Sequence, residues 1–457
     1  MALQFAEGNE TIRQEMRTNP NNLMAIYIAD YADCLLLLFN GDKKDYEQLH
    51  QHLDERQDIL NRGDASSPWY RLCKGGIYMH WAFVYVRMGE EFKAANNFRK
   101  SFALLKDNRE QYPDFEYNNI MFGLEEAAVG AIPDDYKWIA AIFGMKGSIK
   151  KGMAKLESFV GKHNAQEPMY NDALVYYVYL KYYLQSQQEE TWQLVNSDKF
   201  ASQNKLLLEF VKINIALNYR KADAAIVALK NNVNQQQYKS FPIFYYEMGN
   251  ALLHKLDPDC LRYFDAFLSS YNGGSFVKDA WYKKALVYYM QGNNAKAAEC
   301  RSMIPKAGNS LFDADKKAVR FEESGIWPNI PLMQASQLID GGYYQQALTK
   351  LGAYKEADFN NIPDKAEYYF RMGRAYDELA DDDKALQYYK NAIAIGRDRK
   401  EHFAARSALH TGMIYERRHQ MQQAVNSYQM CLDMPVQDFK NSIRQQAKAG
   451  INRITVK

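Results

Sequence analysis

The chain has 457 residues, with 57 Lys and Arg against 55 Asp and Glu, and a net charge of +2 gives it no electrostatic reason to bind nucleic acid or an anionic membrane surface. Apolar residues are 47% and aromatics 14% of the total, enough to bury a large core and to exclude wholesale disorder, while 12 Pro and 25 Gly are few for a strand-and-turn protein. Cys34, Cys73, Cys260, Cys300 and Cys431 form no C-x-x-C pair, so neither a disulfide framework nor a zinc knuckle is expected and their predicted role is small apolar filler.

The chain opens in mid-motif. Gly8, Ile12, Glu15 and Pro20 read as the second helix of a helical pair whose first helix is missing, which predicts a natural chain that begins earlier and an export signal lost with that piece, leaving a periplasmic or envelope location open. No basic segment precedes an apolar one, so no secretory leader is expected in the chain as written, which reads as soluble. The apolar run Cys34–Phe39 is short and preceded by Asp30 and Asp33, and no membrane-spanning segment is expected. Tyr78, Ala82, Tyr85, Ala94, Phe98 and Ser101 then carry the spacing of a helix hairpin. From Tyr112 to Lys162 the pattern breaks: Pro113, Gly123, Gly130, Pro133, Gly144, Gly147 and Gly152 divide the stretch into short helices.

Beyond it the hairpin spacing returns around Tyr245, Gly249 and Leu252, and around Trp281, Ala285, Tyr288 and Ala297. An added helix is predicted over Leu311–Glu323, stopped by Gly325 and Trp327-Pro328. Ala335, Leu338, Ala347 and Leu351 flank the turn Asp340-Gly341-Gly342. Tyr369, Met372, Gly373, Tyr376, Ala385, Tyr389 and Ala392 form the clearest copy, and Gly412, Tyr415, Ala424, Tyr428 and Cys431 repeat its offsets. A small residue lets the two helices of a pair approach, the Tyr three positions on fills the adjoining groove, and Ala at the start of the second helix avoids a clash. The recurrence, a little over ~34 residues, is the tetratricopeptide pattern. Phe439–Ile454, apolar at Ile443, Ala447 and Ile451 and polar elsewhere, reads as a terminal cap.

The expected fold is therefore all-α, an α–α superhelical solenoid of tetratricopeptide-like helix pairs with an irregular helical insertion. Its expected parts are N-terminal helical repeats over 1–111, the Gly/Pro-punctuated insertion over 112–165, tetratricopeptide-like repeats over 166–435 and a capping helix over 436–457.

The central run Phe122-Gly123-Leu124, Ala131-Ile132-Pro133, Ile142-Phe143-Gly144, Gly147, Gly152 and Leu156 resembles the signature of the tetratricopeptide repeat protein 39 and inclusion body clearance family. The Tyr78–Phe102 helices and three C-terminal repeats follow that family's order, so the likeness covers roughly residues 70–435. It implies an all-helical repeat protein whose relatives are linked to clearance of protein inclusions and to lipid handling, with no catalytic motif to carry over.

No catalytic or metal constellation emerges. Gly147–Gly152 has P-loop glycine spacing, but Met153-Ala154 stands where Lys and Ser/Thr must reach phosphate and magnesium. Asp313-Ala314-Asp315 begins like a calcium loop and lacks its remaining ligands. His50 and His52 point about 200° apart on a helix, and His402, His410 and His419 lack a completing carboxylate. Asp381-Asp382-Asp383 reads as a helix cap. Asn250 matches one position of a carboxylate clamp, but Tyr246 replaces its Lys. The chain reads as a non-enzyme without cofactor or metal.

Function is then expected on the concave, first-helix side. The inward set is Met79, His80, Phe83 and Arg87; Tyr282, Lys283, Leu286 and Tyr289; Phe370, Arg371, Arg374 and Asp377; and His410, Met413, Glu416 and Arg417. Aromatics interleaved with Arg and Lys suit a protein or peptide partner bound by a non-catalytic scaffold. Two other readings stay open: the same residues as packed core, and a carrier or sensor of an apolar small molecule or lipid. A cavity of roughly 300 Å³ or more with a few convergent polar groups would favour the carrier, an open groove with surface Arg the scaffold.

Overall fold

Helix follows helix through the chain, each ended by local chemistry. In the computed structural model, which describes residues 3–132, 144–202, 205–437 and 439–455, no strand occurs among the described residues. The Pro68–Met88 helix shows the pattern: the Ser67 side chain accepts from the Trp69 N–H, Pro68 opens the first turn, and Gly89 closes the last in the left-handed region at φ 78°. The predicted added helix spans Asp313–Ser324, Gly325 follows it at φ +67°, and the last helix runs Lys440–Thr455. The signature residues Pro133, Ile142 and Phe143 lie outside the described residues.

The chain forms two compact units. The first contains Met1–Tyr219, Ala224–Gly249 and Leu261–Ser324; the second contains Arg220–Asp223, Asn250–Cys260 and Gly325–Lys457.

In the first unit the helices Pro68–Met88 and Glu91–Gln111 pair as the hairpin spacing predicts, around a core that includes Leu72, Ile77, Trp81, Phe102 and Leu105. A second core gathers Leu156, Phe159, Leu174, Val178, Leu208 and Val211. The glycines that look like helix breakers do something more specific. Gly123 on Asn118–Gly130 and Gly152 on Ile149–Lys162 lie against each other's backbone, where a Cβ on Gly123 would sit 3.0 Å from the Gly152 carbonyl oxygen. Both lie inside helices, and what they supply is a close crossing.

The Leu23–Asn40 helix departs from expectation. With 18 residues at mean hydropathy 1.5 it is, by length and composition, long and apolar enough to cross a membrane. The uninterrupted apolar run Cys34–Phe39 is too short to show this, whereas an average over the whole helix tolerates two aspartates. Both aspartates are bonded to groups on other helices, as described below.

Asp315, also in the first unit, shows what the aborted calcium pattern does instead. Its carboxylate accepts from the backbone N–H groups of Phe276 (2.7 Å) and Asp279 (3.2 Å), at the start of the Val277–Met290 helix. Burial pushes its pKa up to about 6, against the lowering effect of those bonds. Between about pH 4 and 6 the folded chain therefore holds a proton that the unfolded chain has released, so stability falls as pH rises through that window. From this carboxyl the fall is at most roughly 3 kcal/mol. Asp315→Ala, weaker overall because two N–H groups lose their acceptor, is expected to lose that component of the slope in denaturant titrations run from pH 4 to 7. Identical slopes in both proteins would contradict it.

In the second unit Ala335, Ala347, Ala375, Ala385, Ala392 and Ala424 are all fully buried where the hairpins nest. The residue filling the space beside each small position is not the one expected. A Cβ on Gly373 would meet the Tyr389 ring at 2.6 Å, and one on Gly412 the Tyr428 ring at 2.5 Å, so the tyrosine comes from the second helix of the hairpin. Tyr376 and Tyr415, three residues after the glycines, are half-buried. Each seated ring also anchors its hydroxyl on an acid one turn past its glycine: Tyr389 donates to Asp377 (3.0 Å) and Tyr428 to Glu416 (2.6 Å).

Candidate functional site

The first unit contains a cavity of about 530 Å³. Helical stripes of apolar residues build its wall, each recurring every three or four positions. Leu23–Asn40 contributes Tyr31, Cys34, Leu35, Leu38 and Phe39; Pro68–Met88 contributes His80, Phe83, Val86 and Arg87. Tyr170–Tyr183 adds Val175, Tyr176, Tyr179 and Leu180, and Leu206–Asn218 adds Leu207, Phe210, Val211 and Asn214. Leu124, Ile243, Glu247, Phe276 and Phe312 complete it. Burial, reinforced by acidic neighbours, pushes the hydroxyls of Tyr31, Tyr176 and Tyr179 far above their usual range, so they stand in the wall as neutral phenols.

Behind one side of the cavity lies a buried polar cluster. Asp30 Oδ1 accepts from Trp81 Nε1 (2.8 Å) and Arg56 Nη1 (3.2 Å), while Oδ2 meets His80 Nδ1 at 3.0 Å and Cys34 Sγ at 3.7 Å. Arg56 also donates to Asp33 (2.5 Å), which His52 Nδ1 meets at 3.0 Å. The rings of Tyr27 and Tyr31 flank the His80 imidazole at 5.0 and 4.9 Å, and its Nε2 is buried without a partner. Asp30, Cys34 and His80 bring three donor atoms within 4.8 Å of one another, the number of ligands a catalytic zinc uses. The environment disfavours a metal there. Burial and the Asp30 charge push the Cys34 thiol well up, away from the thiolate a metal needs, and the Arg56 guanidinium already occupies the carboxylate.

At another part of the wall stands Arg87. Its Nη2 donates to the Tyr271 hydroxyl (2.6 Å), and its guanidinium carbon lies 5.2 Å from the Phe312 ring centre and 5.7 Å from that of Phe276. It is 8% exposed, its Nε and Nη1 have no hydrogen-bond partner, and no carboxylate among the described residues forms an ion pair with it.

The predicted inward set falls in three places. His80, Phe83 and Arg87 line the cavity, while Met79 points into the core of the same unit. On Val277–Met290, Tyr282 packs on Phe321 (4.9 Å), Lys283 pairs with Asp279 (2.5 Å) over the Tyr246 ring, Leu286 is buried and Tyr289 half-buried.

In the second unit the remaining members knit hairpins together. Arg374 Nη2 donates to Glu378 (2.5 Å), and its Nη1 meets His410 Nδ1 at 3.2 Å. Burial, then the guanidiniums of Arg374 and Arg406, hold His410 far below its usual pKa, so it is neutral and accepts that bond. Arg417 reaches Asp377 (3.0 Å), as Arg453 reaches Glu416 (2.9 Å), so each tyrosine-bound acid also receives an arginine from a following helix. Phe370 packs against Phe403 (5.8 Å), Arg371 pairs with Glu367 (2.9 Å), and Met413 is half-buried.

Most of the cavity wall, including Tyr31, Leu35, Leu38, Tyr176, Tyr179 and Phe210, lies outside the inward set expected from the sequence. The available signal was the apolar stripe at 31, 35 and 38 on a helix whose other side carries Asp30 and Asp33.

Residues 369–402 match the tetratricopeptide repeat family, over the Gly373–Tyr389 copy. No curated protein matches the chain. Among solved structures, it is similar to a chain of the APC/C hetero-tetramer Cut9-Hcn1 over 97% of this chain and 87% of that one, at 12% identity and TM-score 0.29. It is also similar to yeast Tom70 over 92% and 96%, at 11% identity and TM-score 0.25.

Proposed function

We propose that this tetratricopeptide-type helical protein is a non-catalytic binding protein, and that its first unit holds an apolar small molecule or lipid. The observation that carries the reading is the 530 Å³ cavity, within the range of small-molecule sites, with aliphatic and neutral aromatic walls and a few polar groups at His80, Arg87, Asn214 and Glu247. Empty, such a wall leaves apolar surface wet at about 25 cal/mol per Å², a cost that an apolar ligand removes.

The test is uptake of the neutral dye Nile red by the purified full chain. Saturable binding near one dye per chain is expected, and Leu35→Trp, which places an indole in the cavity, should weaken it at least tenfold with the helical circular dichroism unchanged. Undiminished uptake by Leu35→Trp would count against the reading.

A second reading, capture of a protein or peptide partner by the second unit through Phe370, Arg371, His410, Met413 and Arg417, is favoured by the repeat match at 369–402. Against it stands the internal pairing of Arg371, Arg374 and Arg417, which a partner's acidic groups must displace. The kinship with the tetratricopeptide repeat protein 39 and inclusion body clearance family belongs to this proposal too, supported by the Gly123–Gly152 crossing at two of its signature positions.

A further inference from the structure

We infer that the cavity's ligand is an anionic amphiphile, a single apolar chain ending in a carboxylate or phosphate, and that Arg87 receives its head group. This rests on the cavity being the binding site, as proposed above, and adds the charge and polarity of what it takes.

A guanidinium buried in an apolar wall without a counter-ion is unfavourable by several kcal/mol, and such groups are ordinarily paired. Arg87 is the arginine in this wall, and its one hydrogen bond goes to a neutral phenol, Tyr271. The neighbouring carboxylates are engaged elsewhere. Asp42 Oδ1 accepts from the Lys44 N–H at 2.8 Å, and Asp315 accepts from the Phe276 and Asp279 N–H groups.

The side chain is also held in place. Phe312 and Phe276 stack against the guanidinium, and a Cβ on Gly41 would sit 3.4 Å from Arg87 Nε and 3.2 Å from the Tyr271 hydroxyl. Gly41, left-handed at φ 59° at the end of the Leu23–Asn40 helix, leaves the space that this close approach needs. What remains is a fixed guanidinium whose Nε and Nη1 make no hydrogen bond; Gly41 covers the Nε side, and Nη1, on the opposite side, is left to donate to a carboxylate or phosphate oxygen.

The rest of the wall asks for the other end of such a molecule. Leu35, Leu38, Val211 and Phe210 have no polar atom to offer, and Tyr31 and Tyr179 present rings.

The experiment uses the full chain stripped of bound lipid and loaded with Nile red, with displacement measured for three sixteen-carbon competitors: palmitate, hexadecyl phosphate and the neutral hexadecanol. Palmitate or hexadecyl phosphate, or both, should displace the dye about tenfold more tightly than hexadecanol, and whichever is stronger identifies the head group as carboxylate or phosphate. Arg87→Met, which keeps the stem and removes the guanidinium, should bring that ratio below about threefold while hexadecanol changes little. Tyr271→Phe, which removes the hydroxyl partner, should reduce the ratio in a protein that keeps its fold if Arg87→Met does not. Equal displacement by all three, or a preference for the anions that survives in Arg87→Met, would overturn the inference and leave the cavity reading intact. Failure of wild-type protein to take up Nile red or any of the chains would remove the cavity reading itself.

Discussion

Asp30→Ala is expected to cost the first unit about 3–5 kcal/mol, the range for breaking a buried, hydrogen-bonded charge cluster. The carboxylate is fully buried, and removing it leaves Trp81 Nε1 and His80 Nδ1 without acceptors and strips Arg56 of one of its two partners. Each stranded buried donor adds a desolvation penalty of about 1–3 kcal/mol, more than any apolar gain from Ala. Asp33→Ala is the comparison: that carboxylate serves Arg56 and the partly exposed His52, so its removal strands less and should cost roughly 1–2 kcal/mol. Urea titrations followed by Trp81-dependent fluorescence separate the two variants. A loss below about 1 kcal/mol for Asp30→Ala would show that the cluster contributes little. Because His80 lines the cavity and Asp30 fixes its Nδ1, the same variant should also weaken Nile red uptake, an effect that Asp33→Ala should lack.

What was legible in the sequence follows from how far each signal reaches along the chain. The hairpins at 369–392 and 412–431 could be read because the contacts that define them join residues on two successive helices, so a fixed offset between Gly373 and Tyr389, or Gly412 and Tyr428, encodes the packing directly. The identity of the groove-filling tyrosine was misread because Tyr376 and Tyr389 both recur at constant offsets, and only the helix crossing decides which ring meets the glycine.

The cavity was hardly legible at all. Leu35, Tyr179, Phe210 and Phe312 come from four separate segments, and each stripe alone looks like an ordinary core face. His80, Phe83 and Arg87, expected on the inward face from hairpin geometry, line the cavity, but that geometry says nothing of whether the facing space is filled. The second-unit residues show the converse: Arg374, Asp377 and Arg417 have the chemistry of a recognition surface, yet Arg374 pairs with Asp377 and Glu378 on its own helix and Arg417 reaches Asp377 from another.

That reassignment gives the second large expected effect, which concerns the hairpin contacts. The Tyr428 ring is clamped between two glycines, since a Cβ on either Gly412 or Gly450 would sit 2.5 Å from it, and its hydroxyl binds Glu416, which Arg453 holds from the last helix. Tyr428→Ala removes a fully buried aromatic and an anchoring hydrogen bond together, and a loss of about 3–5 kcal/mol is expected. Gly412→Ala tests the same contact from the other side, where two effects oppose. Alanine in a helix interior gains up to about 1 kcal/mol over glycine, and overpacking against a ring that cannot retreat costs about 1–3 kcal/mol. Gly450 behind the ring blocks the retreat, so the clash should win and the variant should be less stable. Gly8→Ala is the control, because Gly8 lies inside the Phe5–Thr18 helix with nothing within 4 Å of a Cβ, and there the propensity gain should appear unopposed as a rise of up to about 1 kcal/mol. Opposite signs for one substitution at two helical glycines, read in the same urea titrations, are the outcome that close hairpin nesting requires. A stabilised Gly412→Ala would mean that the ring does not sit against the glycine as described.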